Sequence, residues 1–288
     1  MKTNEIHMRD PFVLVHDGKY YLYGTRGPTC WGEADGFDCY WGTDLENWEG
    51  PKEIFHNDGS FWADRNYWAP EVHEYQGAFY LFASFKAEGV CRGTQIFKAE
   101  QPEGPYQLHS DGPITPSNWE CLDGTFFVDP DGTPFMVFCH EWTQIGDGAV
   151  CAVELSSDLS RAVGEPFDLF HASDAVEWVK STGDCPTHPT YVTDGPFLYR
   201  CKDGTLLMLW SSFGELGYVQ AVARSSDGTL RGKWEQITPL FEKDGGHGML
   251  FHGLDGQLYL TLHSPNDHPH ERPAFYPLTE ENATLRRM

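Results

Sequence analysis

A short pattern that recurs five times along the chain constrains its fold more than any other feature. Each copy is a tight turn of the Asp-Gly type followed by an apolar strand, as in 203–211, where Asp-Gly-Thr precedes Leu-Leu-Met-Leu-Trp-Ser. The turns begin at Asp17, Gln76, Asp131, Asp203 and Asp255, in steps of 59, 55, 72 and 52 residues. The five units account for all 288 residues, and each is too small to bury its own apolar faces, so the units must stack on one another.

The pattern inside each unit predicts short antiparallel strands. One apolar strand precedes the turn, a second follows it, and a third alternates apolar and polar residues. A fourth strand ends three of the units near an aromatic residue, and Gly and Pro interrupt the sequence throughout. A β-helix has much shorter repeats, and a sandwich is not expected to repeat five times. The sequence therefore predicts an all-β, five-bladed β-propeller with four-stranded antiparallel blades around a central channel, formed by residues 1–288 as a single domain.

The charge of the chain restricts its partners. Its 43 acidic and 20 basic residues give a net charge of −23, which repels nucleic acid and anionic lipid surfaces. No run of about 18 apolar residues predicts a membrane span. A neutral small molecule or saccharide is the expected partner, and no pattern indicates an oligomeric state. Residues 1–5 lack the apolar segment of a secretory signal, which favours a cytoplasmic location, with a trimmed secreted or periplasmic protein as the alternative.

The cysteines predict neither a disulfide framework nor a zinc site. No two of them form a C-x-x-C pair, and at least two lie in or beside predicted apolar strands. Buried free thiols are therefore expected at positions 30, 39, 91, 121, 139, 151, 185 and 201.

Carboxylates recur at the start of the first strand of several blades. In a propeller the first strand of each blade is the innermost one, and its start points into the mouth of the channel. Aligned on the turns, the blades bring to one position of the ring Asp10, Asp123, Asp194 and His247, with Glu71 close by. Like charges repel and raise one another's proton affinity, so such a cluster destabilises the fold. Its presence therefore indicates a function. It fits the cleavage of a glycosidic bond, which requires one protonated and one ionised carboxyl group on the two sides of the bond.

The same positions carry motifs in a fixed order along the chain. They are Arg9-Asp10-Pro11, Trp68-Ala69-Pro70-Glu71, Leu122-Asp123-Gly124, Asp194-Gly195-Pro196 and Gly246-His247-Gly248. Together they resemble glycoside hydrolase family 43, over about residues 7 to 277. The resemblance implies inverting hydrolysis of glycans that contain arabinose, xylose or occasionally galactose.

The resemblance also implies a role for each residue. Asp10 would be the general base that activates water, and Asp123 would orient the acid and adjust its proton affinity. His247 would lie by the channel, near a calcium or sodium ion held mainly through waters, with no cofactor required for the chemistry. At the position of the general acid the family usually has Glu, whereas this chain has Asp194, which withdraws the carboxyl group by about 1–1.5 Å. Either the backbone compensates, or Glu215 in the loop after the second strand of blade four takes the role, or activity is lost.

Aromatic side chains in loops are candidates for stacking on sugar rings. The loop tryptophans are Trp31, Trp62, Trp68, Trp119, Trp142 and Trp178, of which Trp31, Trp68 and Trp142 are predicted to bind substrate. Glu71 is a candidate substrate contact or a solvated charge. Relatives have an arginine near the C-terminal end that reaches over the site, which makes Arg272 a candidate, with a surface ion pair to Glu271 as the alternative.

The prediction is an exo-acting enzyme that removes a terminal pentose from plant-type glycans. Inserts at 28–37, 57–68 and 174–189 are long enough to wall a pocket. An α-L-arabinofuranosidase is the first expectation and a β-xylosidase the second, followed by an exo-galactosidase or an endo-arabinanase. A non-catalytic carbohydrate-binding propeller, with Asp194 as the lesion, and a propeller that serves as an interaction scaffold are the alternatives outside catalysis.

Overall fold

A computed structural model describes residues 1–281 and 283–288 and confirms the five-bladed β-propeller. Each blade is a sheet of four consecutive antiparallel strands. Blades one and two contain β1 Met8–His16, β2 Lys19–Arg26, β3 Gly36–Gly42, β4 Glu49–His56, β5 Arg65–Tyr75, β6 Ala78–Ala87, β7 Val90–Ala99 and β8 Gln107–Leu108. Blade three contains β9 Cys121–Val128, β10 Pro134–His140, β11 Ala149–Leu155 and β12 Ala162–His171. Blades four and five contain β13 Asp194–Arg200, β14 Leu206–Gly214, β15 Gly217–Ser225, β16 Trp234–Phe241, β17 Gly246–His252, β18 Leu258–Ser264, β19 Arg272–Glu281 and β20 Thr284–Arg287.

The helical segments are short. The helix α1 spans Trp142–Ile145, and single 3₁₀ turns lie at Thr3–Glu5, Gly27–Thr29 and Ala172–Asp174. Within the described parts of the chain, no helix is long and apolar enough to cross a bilayer.

The five repeated turns use two kinds of local chemistry. The turns at 17–18 and 76–77 have both residues at positive φ, as type I′ hairpins require, with Asp17 at 46° and Gln76 at 49°. In the other three turns, at Asp131, Asp203 and Asp255, the Asp carboxylate accepts a hydrogen bond from the N–H two residues later. Both kinds reverse the chain within a few residues, which is why the pattern was readable from the sequence.

The innermost strands form a closed ring. β1 packs against β5, β5 against β9, β9 against β13, β13 against β17, and β17 against β1. The apolar core lies between the facing sheets of neighbouring blades, where Leu22, Phe85 and Trp210 are fully buried. All eight cysteines are free, as predicted, and six of them are buried.

Each first strand contains a β-bulge at the same position, here termed the bulge position. Its pairing with the second strand slips there, and one residue adopts a left-handed backbone. The residues at the bulge position are Asp10 (φ 52°), Ala69 (47°), Asp123 (58°), Gly195 (50°) and His247 (51°). The bulge directs the side chains of Asp10, Asp123 and His247 into the mouth of the channel. In blade four the residue is Gly195, so Asp194 lies one residue earlier than the alignment predicted, at the position that Arg9 occupies in blade one.

Candidate active site

Three carboxylates converge at the mouth of the channel. Asp10, Asp123 and Asp194 line one deep pocket of about 60 Å³, together with His247. The pocket adjoins a cleft of about 650 Å³, and Asp194 lines both. The cleft is lined by Arg9, Trp31, Trp68, Leu122, Glu141, Trp142, Lys180, Ser181, Thr182, Asp184, Val192, Asp194, Phe213, Gly214, Tyr218, Asn266 and His268. The predicted convergence of the three carboxylates is therefore present in the fold.

Asp10 is held as an ionised carboxylate. Its Oδ2 accepts a hydrogen bond of 2.6 Å from the Thr25 hydroxyl, and its Oδ1 lies 3.2 Å from His247 Nδ1. Burial would raise the pKa of Asp10, but His247, Arg9 and the Thr25 hydroxyl more than offset that effect and lower it. The carboxylate can therefore accept a proton at neutral pH.

A chain of hydrogen bonds fixes the backbone of Asp10. Arg9 Nη2 donates to Asn266 Oδ1 at 2.7 Å, so this oxygen must also accept from His263 Nε2, 3.1 Å away. With the proton on Nε2, His263 Nδ1 accepts the Asp10 N–H at 3.1 Å. Burial and the Arg9 charge lower the pKa of His263 to about 4, in agreement with a neutral ring. His263 is therefore a buried support of the bulge in blade one.

Asp123 and Asp194 lie on neighbouring blades and share a raised proton affinity. The Gly195 N–H donates to Asp123 Oδ2 at 2.9 Å, which ties this carboxylate to the residue next to Asp194. Burial, then the charge of Asp10, raises the pKa of Asp123. Burial and the charge of Asp123 raise the pKa of Asp194 to about 7, although a 2.8 Å hydrogen bond from Tyr218 Oη favours its ionised form. Both carboxyl groups line the deep pocket, but only Asp194 also lines the open cleft, so its proton lies where the pocket meets the cleft.

His247 lies between two carboxylates, with Nδ1 3.2 Å from Asp10 and 3.7 Å from Asp123. Calcium takes six to eight oxygen ligands. Among residues 1–281 and 283–288, no convergent set of three His, Cys, Asp or Glu side chains includes His247. The donors present do not fit direct coordination of calcium. An ion held through waters stays a prediction.

The three predicted tryptophans line the cleft. Trp31 and Trp68 meet edge to face with ring centroids 5.4 Å apart and also border the deep pocket, while Trp142 lies in α1 on the outer wall. Arg9 lies over the Trp31 ring at 4.9 Å, and Arg92 lies over the Trp68 ring at 3.7 Å. Trp31 and Trp68 are thus braced by arginines at the entrance to the pocket, and their stacking on sugar stays a prediction.

Three other predicted residues lie outside both cavities. Glu71 is buried and pairs with His73 at 2.9 Å, so it is not a solvated loop charge. Glu215 lies at the tip of the β14–β15 hairpin, with its side chain 79% exposed and paired with Lys180 at 3.0 Å. Arg272 does not reach over the pocket, because its guanidinium donates to the carbonyls of residues 4, 269 and 271.

Arg9, Tyr218 and Asn266 line the cleft and were missed as pocket residues. Arg9 had a signal in the sequence, because it precedes Asp10 and occupies the same position in its blade as Trp68. Tyr218 lies near the start of β15, the third strand of blade four, and Asn266 lies in the β18–β19 loop, and no local signal marks either residue.

The arrangement divides acid and base between two carboxyl groups. Asp10 on blade one is ionised, and Asp194 on blade four holds a proton near neutral pH, with an aromatic-walled cleft at the pocket they share. Fold and site together define the class as a glycoside hydrolase built on a five-bladed propeller.

The chain belongs to Glycosyl hydrolases family 43, whose model matches residues 4–287. It is 37% identical to a solved structure described as an endo-arabinase from Bacteroides thetaiotaomicron VPI-5482, with a TM-score of 0.90 and 98% of both chains covered. It is 25% identical to the extracellular exo-α-(1→5)-L-arabinofuranosidase ArbA of Cellvibrio japonicus, over 91% of this chain and 80% of that protein. It is also 29% identical to xylosidase/arabinosidase 43A of Humicola insolens, over 48% of this chain and 45% of that protein. Membership of this family argues for hydrolysis and against the non-catalytic alternatives.

Proposed function

We propose that the enzyme removes terminal α-L-arabinofuranosyl residues from arabinan-type glycans, with inversion at the anomeric carbon. The observation that carries this proposal is the small pocket that Asp10, Asp123 and Asp194 share, at the bottom of a much larger cleft. A terminal sugar would occupy the pocket, and the rest of the glycan would lie in the cleft.

The proposed reaction is a single displacement. Asp10 removes a proton from a water molecule as its oxygen bonds to the anomeric carbon. The bond from that carbon to the glycosidic oxygen breaks at the same time, and Asp194 delivers its proton to the departing oxygen. Asp123 supports these roles of base and acid in two ways. Its charge raises the pKa of Asp194, and its hydrogen bond from the Gly195 N–H fixes the backbone next to Asp194.

Two features favour a pentose of the arabinose type. The deep pocket measures only about 60 Å³ and is bordered by Trp31, Trp68, Leu122 and Tyr218, which suits a five-carbon sugar better than a hexose with its additional carbon. Two of the relatives named above are described as an arabinofuranosidase and an endo-arabinase. A β-xylosidase is less favoured, since the relative described as a xylosidase/arabinosidase aligns with only about half of this chain.

Endo-acting cleavage is the second candidate, because the solved structure at 37% identity is described as an endo-arabinase. The insert at 174–189 favours the exo mode, since Lys180, Ser181, Thr182 and Asp184 close one side of the cleft.

Digestion of linear arabinan separates the two modes. We expect arabinose as the main product from the first minutes, with a slow fall in viscosity, and proton NMR of the first arabinose released is expected to show the inverted anomer. Early release of oligosaccharides with a rapid fall in viscosity would establish the endo mode. A retained anomer would contradict the single displacement, and release of xylose but not arabinose from aryl glycosides would contradict the proposed sugar.

Replacement of Tyr218 by Phe is expected to move the alkaline limb of the pH profile upward. The wild-type kcat/KM should fall above about pH 7, where Asp194 loses its proton. Tyr218 favours the ionised form of Asp194, so removing its hydroxyl raises the pKa and shifts the limb by about 0.5–1 pH unit to higher pH. Tyr199→Phe, which removes a hydroxyl that donates to Glu280 of blade five outside both cavities, is the control and should leave the limb in place. A downward shift in Tyr218→Phe would refute the assignment.

A further inference from the structure

The ring closes between blades one and five without exchange of a strand, because each sheet is made of consecutive strands. Side chains of the two blades meet instead at this seam. His7, just before β1, places Nε2 3.3 Å from Oε2 of Glu271, just before β19. His268, in the β18–β19 loop, places Nδ1 3.7 Å from the same oxygen. Two imidazoles from opposite sides of the seam therefore converge on one carboxylate.

The spacing of these atoms suits a metal ion. One ligand atom from each of His7, His268 and Glu271 lies within 4.8 Å of the other two. A tetrahedral zinc ion with bonds of about 2.0–2.1 Å separates its ligand atoms by roughly 3.3–3.5 Å. The distances of 3.3 and 3.7 Å to Glu271 are close to those values, so small rotations of the side chains would complete the geometry.

The protonation of the cluster also suits a metal ion, which binds neutral imidazole and ionised carboxylate. Burial lowers the pKa of His7 and so favours its neutral form. Burial would raise the pKa of Glu271, but hydrogen bonds from the backbone and from Arg9 lower it. Arg9 binds Oε1 of Glu271 and leaves Oε2 to the two imidazoles. Carboxylates that bind a metal are commonly held in this way by a hydrogen-bond donor that does not itself touch the metal.

We propose that His7, His268 and Glu271 form a site for a zinc-like divalent ion that fastens blade one to blade five. Two imidazoles and one carboxylate select zinc, or a related transition metal, over calcium and magnesium, which prefer oxygen ligands alone. The three protein ligands leave a fourth position for water. Because His268 also lines the cleft, the ion would hold the wall of the substrate site as well as the seam.

The test is the binding of Zn²⁺ to the metal-free chain of residues 1–288, without an affinity tag that contains histidine. Calorimetry is expected to give one Zn²⁺ per chain, and Co²⁺ in its place should show the visible absorption of a tetrahedral site. At free Zn²⁺ one hundred times the dissociation constant, the unfolding temperature should rise by about 5 °C. Absence of stoichiometric binding would overturn the proposal.

His268→Ala is the decisive variant, since this side chain is 40% exposed and its removal leaves the core intact. It should lose both the Zn²⁺ binding and the thermal shift, as should His7→Ala. His270→Ala is the matched control, because this residue lies in the same loop and pairs with Asp267 outside the cluster. It should bind Zn²⁺ like the wild type. Unchanged binding by His268→Ala, or loss of binding in His270→Ala alone, would refute the assignment.

Discussion

Replacement of Asp10 by Asn should lower kcat/KM on arabinan and on aryl arabinofuranosides by about 10³–10⁴-fold. The amide cannot accept a proton from the attacking water, and water alone is a poor nucleophile. Asn tolerates the left-handed backbone that this position requires, with φ at 52°, so the fold should survive. Initial rates on both substrates, together with the unfolding temperature, measure the effect.

Asp17→Asn is the matched control for this variant. Asp17 also has a positive φ, of 46°, and lies on the same hairpin, but its side chain is 88% exposed at the far end of β1. The control should keep the wild-type rate within about twofold, as surface substitutions usually have small effects. If Asp10→Asn retained more than a tenth of the wild-type rate, Asp10 could not be the general base.

The architecture could be predicted because its signals are local and repeated. Each hairpin turn is encoded by two or three adjacent residues, such as Asp17-Gly18, and each second strand is an apolar run buried between two sheets. Five copies in register are compatible with few folds other than a five-bladed propeller. Counting back from each turn then located the start of each innermost strand, and with it Asp10, Asp123 and His247.

In blade four the sequence alignment placed Asp194 at the bulge position, one residue away from its actual position, and the sequence itself contains the reason. The turn begins seven or eight residues after the bulge residue in every blade, and eight residues before Asp203 is Gly195. Glycine adopts a left-handed backbone more easily than any other residue, so Gly195 occupies the bulge position and Asp194 lies one residue before it. Side chains at this position line the pocket in two other blades, where they are Arg9 and Trp68, and the carboxyl group of Asp194 lines it as well.

The arginine of the site could not be predicted, because its partners are distant in the chain. Arg9 bonds Glu271 and Asn266, more than 250 residues away, and these contacts direct its guanidinium to the cleft. Arg272 has the same chemistry, but its guanidinium donates to the carbonyls of residues 4, 269 and 271 and does not line the cleft. Which of two arginines serves a site is decided by loop packing across the ring closure, and neither periodicity nor motif reports that packing.

Replacement of Asp194 by Asn should produce a loss that depends on the leaving group. On arabinan, whose leaving sugar needs a proton, kcat is expected to fall by about 10³-fold. On a dinitrophenyl arabinofuranoside, whose leaving group departs without protonation, the loss should be about tenfold or less. The alkaline limb near pH 7 should also disappear, because the group that causes it is gone. Asp10→Asn, by contrast, should impair both substrates to a similar extent.

Glu215→Gln tests the rival acid directly. Glu215 is mostly exposed and paired with Lys180 at the rim, outside both cavities, so this variant should keep the wild-type rate within about twofold on both substrates. A loss in Glu215→Gln that is large on arabinan and small on the dinitrophenyl substrate would transfer the acid role to Glu215. An equal loss on both substrates in Asp194→Asn would show that Asp194 shapes the pocket without donating the proton. The combined pattern therefore decides whether the shorter Asp side chain performs the proton transfer that a Glu usually performs in this family.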